Sequence, residues 1–244
     1  MISNPLSGAT YLIKGLQLIK KPGIRPFVII PLLINSLLFA ALIWFLGNEF
    51  SSLMDSWLPT LPDWLSWLSG LLWLLFAIAT LIILFFGFTL LANLVGAPFN
   101  SYLSAAVEKQ ISGRAPSADD DSFIQVLSKS LSGEMKKILY FALWAIPLFI
   151  LGFIPGLNLF APALWLLFGA WMMSIEYADY PLGNQGLTFP DIRRKLKEKT
   201  LLSLGFGGAV MLASMIPLLN FLIMPAAVAG ATVMRVEQFP DSAR

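Results

Sequence analysis

Four long stretches of this 244-residue chain contain no Asp, Glu, Lys or Arg. They run from Pro26 to Asn48, Trp64 to Val107, Ile138 to Ile175 and Thr200 to Met234, which is 23, 44, 38 and 35 residues. A helix rises ~1.5 Å per residue, so about 20 apolar residues cross ~30 Å of hydrocarbon. Runs of this length leave little polar surface to set against water. Only 12% of the chain is charged and 57% is apolar, whereas soluble domains carry roughly 25% charge. Lipid is the solvent that fits. The chain is expected to be one all-α integral membrane domain over residues 1–244.

The first stretch fits one transmembrane helix, over 26–47. It is no signal peptide, because its apolar run is too long and no small-residue cleavage site follows. The second fits one long transmembrane helix over 65–95, with Trp64, Trp67 and Trp73 at its outer end as interfacial aromatics. Gly96-Ala97-Pro98 is expected to break it, and Asn100 to Gln110 to continue as a polar-edged helix.

The third and fourth stretches are each interrupted near the middle. Ile154-Pro155-Gly156-Leu157-Asn158 with Pro162 divides one, and Ile216-Pro217-Leu218-Leu219-Asn220 with Pro225 divides the other. The arms, of 14–17 residues, would span about 21–26 Å, short of the hydrocarbon core. Such arms around a break read as two re-entrant (hemi-penetrating) helical hairpins, over 138–175 and 201–234. Four short, tilted full spans are the alternative. The two breaks resemble each other, and a repeated broken helix points to a transport pathway.

Charge sets the orientation. Residues 1–25 carry Lys14, Lys20, Lys21 and Arg25 and no acid, while 49–63 carry Glu49, Asp55 and Asp63 and no base. The positive-inside rule places both the N-terminus and the C-terminus in the cytoplasm. Asn4-Pro5 is a helix start, and Leu6, Ala9, Leu12, Ile13, Leu16 and Ile19 share a face. An interfacial helix over 4–21 follows.

Three groups of residues are candidates for function. Gly23, Ile24 and Arg25 precede the first span, and Pro26 suits its first turn. A helix start with flexible backbone and a neighbouring arginine can hold an anion; anchoring at the headgroups is the plainer role for Arg25. Asn35, Asn93, Asn100, Asn158 and Asn220 lie inside or beside apolar stretches. Unpaired amides are costly there, so each should face protein or a water-filled path. Weak amide donors suit conduction, where an ion must also leave, while helix–helix contacts or capping would equally use them. Glu176 and Asp179, at i and i+3 beside Tyr177 and Tyr180, could do acid–base work. Interfacial exposure or a salt bridge to Lys or Arg at the cytoplasmic boundary is the preferred role, and Glu108 and Lys109, which also mark a membrane boundary, are read the same way. Asp119-Asp120-Asp121 reads as a solvated loop, since a calcium loop needs alternating ligands and a distal Glu.

Cysteine and histidine are absent, which removes disulfides, thiol nucleophiles, His-based triads and the usual zinc sites. No phosphate loop or nucleophile motif occurs. The chain is therefore read as no enzyme, with no cofactor and no metal. A net charge of +2 gives no nucleic-acid footprint.

The whole chain resembles the CysZ family of bacterial inner-membrane sulfate permeases. The strings that carry the resemblance are PGIR before the first span, NLVGAPFNSYL after the second, IPGLNLFAPALW, YADYP and IPLLNFLIMPAAVAGAT. It implies two full spans plus two hemi-penetrating hairpins, and sulfate uptake for sulfur assimilation and cysteine biosynthesis without ATP hydrolysis by this chain. It implies sulfate binding at Gly23, Ile24 and Arg25, and a homo-oligomer in the lipid bilayer. Pro26 stands where members often carry a second arginine, which removes one guanidinium and one N–H donor. The alternatives are transport of another oxyanion or small solute, and a non-conducting scaffold or regulator.

Overall fold

The structure is a computed structural model, and it describes residues 4–57, 62, 66–113 and 123–240. The helices among them are α1 (Pro5–Leu18), α2 (Arg25–Trp57), α3 (Ser66–Ser112), α4 (Phe123–Leu151), α5 (Ala161–Gly183), α6 (Phe189–Lys197), α7 (Thr200–Ser214) and α8 (Pro217–Gln238). No strand occurs among the described residues. The Asp119-Asp120-Asp121 run and Trp64 lie outside them.

Contacts divide the chain into two compact units, Ile30–Gly96, and Met1–Ile29 with Ala97–Arg244. The first unit holds most of α2 and α3. Two windows, Arg25–Glu49 and Trp67–Phe88, are long and apolar enough to cross a membrane, and almost none of either is buried. Leu37, Trp44, Ile83 and Phe86 all point outward. Within this unit Phe39 and Phe88 meet edge to face, with centroids 5.7 Å apart.

α3 does not break at Gly96-Ala97-Pro98 as expected; it runs on to Ser112. Proline removes only one N–H from the ladder. In apolar surroundings the helix still satisfies the other backbone groups better than a turn would.

The second unit is built on close backbone contacts. α1 packs on α7 and α8, and α5 packs on both of them as well. A Cβ added at Gly8 would strike the Leu202 carbonyl, at Gly15 that of Ala226, at Gly205 that of Pro5, and at Gly207 that of Ala170. Glycine is therefore what lets these helices touch backbone to backbone, as small residues do in lipid-embedded bundles.

Small residues also shape the buried side of α1. Its start is capped as expected, with Asn4 Oδ1 accepting the Leu6 N–H at 3.1 Å. Its buried side is Gly8, Tyr11, Leu12, Gly15 and Leu18, while Leu6 and Ile13 are exposed. Leu12 and Ile19 of the apolar stripe are buried as well, and the glycines Gly8 and Gly15 make the closest backbone contacts. At its end, Glu237 accepts from Tyr11 at 3.0 Å and from Lys14 at 2.7 Å, and Gln238 donates to Tyr11 at 2.8 Å. These bonds tie α1 to α8.

α4 and α5 form the first helix pair, joined by an exposed turn over 152–160. α7 and α8 form the second, joined by Met215 and Ile216 alone. From Ala226 through Arg235, every residue of α8 is buried.

Candidate functional site

The Gly23–Arg25 segment sits in the turn between α1 and α2. The Lys21 carbonyl accepts the N–H groups of Ile24 and Arg25, both at 3.0 Å. Ile24 is fully buried and pins the turn to the fold. Arg25 is exposed, and its Nε donates to the Lys20 carbonyl at 2.5 Å. The Gly23 N–H makes no hydrogen bond among the described residues. Lys20, Lys21 and Arg25 are all exposed on this turn, so it presents concentrated positive charge.

Gly23 has no positive φ, and a Cβ there would meet nothing within 4 Å. Neither backbone conformation nor packing inside the fold requires glycine at this position.

A polar seam runs along the last turns of α3. Asn100, Ser104 and Glu108 recur every four residues and so share one face. Asn100 Nδ2 donates to the Tyr180 hydroxyl at 3.3 Å. Ser104 and Thr232 share a buried hydrogen bond at 2.9 Å. Arg235 donates to Glu108 at 2.7 Å, and each side chain is only 6% exposed. Beside them, Ser101 donates to Asn184 Oδ1 at 2.5 Å, and Asn184 Nδ2 donates back to the Ser101 carbonyl at 2.9 Å. Of the two roles expected for Glu108, exposure or a salt bridge, it is the salt bridge that forms, with a buried guanidinium.

Glu176 and Asp179 form the salt bridge expected of them, and Glu134 joins them. Lys137, 5% exposed at its side chain, lies 2.5 Å from Glu134, 2.9 Å from Glu176 and 3.0 Å from Asp179. Burial is the first cause pushing the Glu134 and Asp179 carboxyls up, neighbouring carboxylates add to it, and Lys137 opposes both. The three carboxylates hold Lys137 protonated well above its ordinary value against the cost of its burial. Tyr177 is pushed up to about 12, by burial first and then by the Glu176 charge.

Asn35 and Asn93 belong to the unit Ile30–Gly96, and Asn100, Asn158 and Asn220 to the other. Asn100 joins the seam. Asn158 and Asn220 are exposed, and their N–H groups only close local turns, to Ile154 and Ile216. Asn35 is half-buried in α2, and its Oδ1 has no hydrogen-bond partner among the described residues. The Asn93 side chain lies outside them. Sequence reasoning did not single out Lys137, Ser104, Thr232 or Arg235 as site residues. The four-residue spacing of Asn100, Ser104 and Glu108 in an apolar run was the available signal.

Two long lipid-compatible helices and a glycine-packed helical unit whose buried charges are paired define a helical membrane protein. The family described as Sulfate transporter CysZ/Etoposide-induced protein 2.4 matches residues 11–225. The chain is 45% identical over 240 residues to the sulfate transporter CysZ of Pseudomonas aeruginosa, covering 98% of each. It is 46% identical over 235 residues to that of Pseudomonas fluorescens, covering 96% of this chain and 94% of the relative. The Pseudomonas syringae relative of the same name is also 46% identical over 235 residues, covering 96% and 93%. The chain belongs to the Sulfate transporter CysZ/Etoposide-induced protein 2.4 family.

Proposed function

We propose that the protein is a sulfate permease of the bacterial inner membrane, supplying sulfate to the cytoplasm for sulfur assimilation and cysteine biosynthesis. Identity of 45% across nearly the whole of both chains to a named sulfate transporter carries the substrate. At the site, the observation that carries it is Gly23. The fold has no use for glycine there, while an approaching oxyanion does, because a side chain would screen the backbone N–H.

Sulfate is met by the Gly23 N–H and the Arg25 guanidinium, with Lys20 and Lys21 raising its local concentration. The Ile24 and Arg25 N–H groups become available only if the Lys21 carbonyl gives them up. Ile24 anchors the turn from beneath. Few fixed donors mean modest affinity, which suits conduction. Asn35, Asn93, Asn100, Asn158 and Asn220 are assigned to the path beyond.

In this arrangement α2 and α3 cross the bilayer, and the helix pairs α4–α5 and α7–α8 enter from the cytoplasmic side without crossing. The 15 residues of α7 reach about 22 Å, less than the ~30 Å hydrocarbon core. α1 lies at the inner headgroups, with Leu6 and Ile13 towards lipid. Both termini are cytoplasmic by the charge rule. Neighbouring copies cover the exposed turns, giving a homo-oligomer.

The test is uptake of radiolabelled sulfate into liposomes holding only the purified protein, beside Arg25→Ala. Saturable uptake lost in the folded variant is expected. No flux above empty liposomes would overturn the permease assignment, and unchanged flux in the variant would remove Arg25 from the anion path.

A further inference from the structure

Arg193, on α6, is held by aromatic rings and by nothing else among the described residues. Its guanidinium carbon lies 4.3 Å from the centroid of the Tyr140 ring on α4 and 5.5 Å from that of Phe189. Its Nε is buried without a hydrogen-bond partner. Its neighbour Arg194 has a carboxylate, Asp191 at 2.6 Å. Ring stacking engages the flat face of a guanidinium; its N–H donors lie in the plane and remain to be met. Two parallel in-plane donors match the oxygens of a phosphate.

The surroundings are ordered like a lipid molecule. Lys136, Tyr140 and Trp144 follow at four-residue spacing and form one strip along α4, with the Tyr140 and Trp144 rings 6.4 Å apart. Lys136 is exposed at the charged end, and Trp144 is 53% exposed at the apolar end. Tyr140 is the third residue of the charge-free run from Ile138 to Ile175. Trp171, near the other end of that run, donates to the Tyr140 hydroxyl at 3.2 Å. Both ends of the run therefore meet at this level, where tyrosine and tryptophan mark a membrane interface. On α6, the exposed Lys197 follows Arg193 by four residues, on the same side of the helix. The apolar face of α6, Phe189, Ile192 and Leu196, is buried in the protein.

We infer that Arg193, stacked on Tyr140 and flanked by Lys136 and Lys197, binds the headgroup phosphate of an anionic phospholipid, whose acyl chain lies along Trp144. The inference rests on the membrane placement of the α4–α5 pair proposed above. The bound lipid fixes α6, the link between the two helix pairs, at the bilayer surface.

The experiment is native mass spectrometry of the purified full-length protein in detergent, titrated with phosphatidylglycerol or phosphatidylcholine. Retention of phosphatidylglycerol over phosphatidylcholine is expected. Arg193→Gln should weaken it about fivefold, the scale of one basic residue at an anionic surface. Arg194→Gln should leave it unchanged. If Arg193→Gln does not fold, the exposed pair Lys136→Gln with Lys197→Gln decides, with a comparable or larger loss expected. Equal retention of both lipids, undiminished binding in these variants, or displacement of the lipid by equimolar sodium sulfate would overturn the inference. Sulfate flux is read separately in liposomes, so failure of the permease assignment does not pass for failure of the lipid site.

Discussion

The two helix pairs contain nearly the same break and build different turns from it. In Ile154-Pro155-Gly156-Leu157-Asn158 the third residue is glycine, and Gly156 takes φ +84°. The chain leaves the helix at Gly152 and does not resume until Ala161, exposing Phe153, Leu159 and Phe160. In Ile216-Pro217-Leu218-Leu219-Asn220 the third residue is leucine. A left-handed turn is unfavourable there, so the helix restarts at once. Ile216 is extended and Pro217 takes the first helical position, where its missing N–H costs nothing. A motif shared by spelling is thus divided by one side chain.

The bases of the two pairs differ as well. Each holds a buried cation. Lys137 has three carboxylates, 49%, 37% and 29% exposed, whereas Arg235 has Glu108 in a dry contact. Water can take over from Lys137, but it reaches the Arg235 pair poorly. Arg235→Met should therefore be the most damaging change, stranding Glu108 at about 3–5 kcal/mol. Thermal unfolding in detergent would measure it, and near-wild-type stability would erase the contrast between the two bases.

Packing gives the next test. Gly207→Leu drives a side chain into the Ala170 carbonyl, and a loss of about 1–3 kcal/mol or more is expected. Gly208→Ala, one residue on, meets only Ala170 Cβ at 3.8 Å and should be neutral or stabilising, since alanine suits a helix better by up to ~1 kcal/mol. Equal melting temperatures for the two variants would refute backbone-to-backbone packing of α5 on α7.

Lys137→Met should cost less than Arg235→Met, roughly 1–3 kcal/mol after solvent screening, and its cost should depend on pH. A carboxyl raised above its unfolded value stabilises the fold while protonated. That contribution is complete below the unfolded pKa and is lost as pH rises through the folded one. Glu134 and Asp179 are already raised, and loss of Lys137 raises them further. The variant should regain stability as pH falls and these raised carboxyls take up protons. A pH-independent deficit would mean that the carboxylates do not sense Lys137. The smallest loss expected is that of Gly156→Ala, about 1–2 kcal/mol from the left-handed backbone alone. No change in melting temperature would show that the turn does not depend on its glycine.

The charge-free runs identified two long apolar helices and two broken ones, and they placed the breaks within a few residues. They did so because exclusion of charge from lipid acts on every residue of a span, and so is written along the chain. The side on which α1 meets the protein was not legible for the opposite reason: Gly8 and Gly15 carry no hydrophobic signal, yet they bring the backbones together. The expected stop at Gly96-Ala97-Pro98 failed because a proline's local cost is small beside the unmet backbone groups that a break in apolar surroundings would create.

By itself the sequence determined the solvent, the number of apolar segments, the family and the Gly23–Arg25 candidate, since each depends on composition or on neighbouring residues. Only the tertiary structure decided that Glu108 faces Arg235, that Lys137 gathers Glu134, Glu176 and Asp179, and that Arg193 lies on Tyr140. Those partners are 127, up to 42 and 53 residues apart in the chain, and a side chain's environment is set by what packing brings beside it.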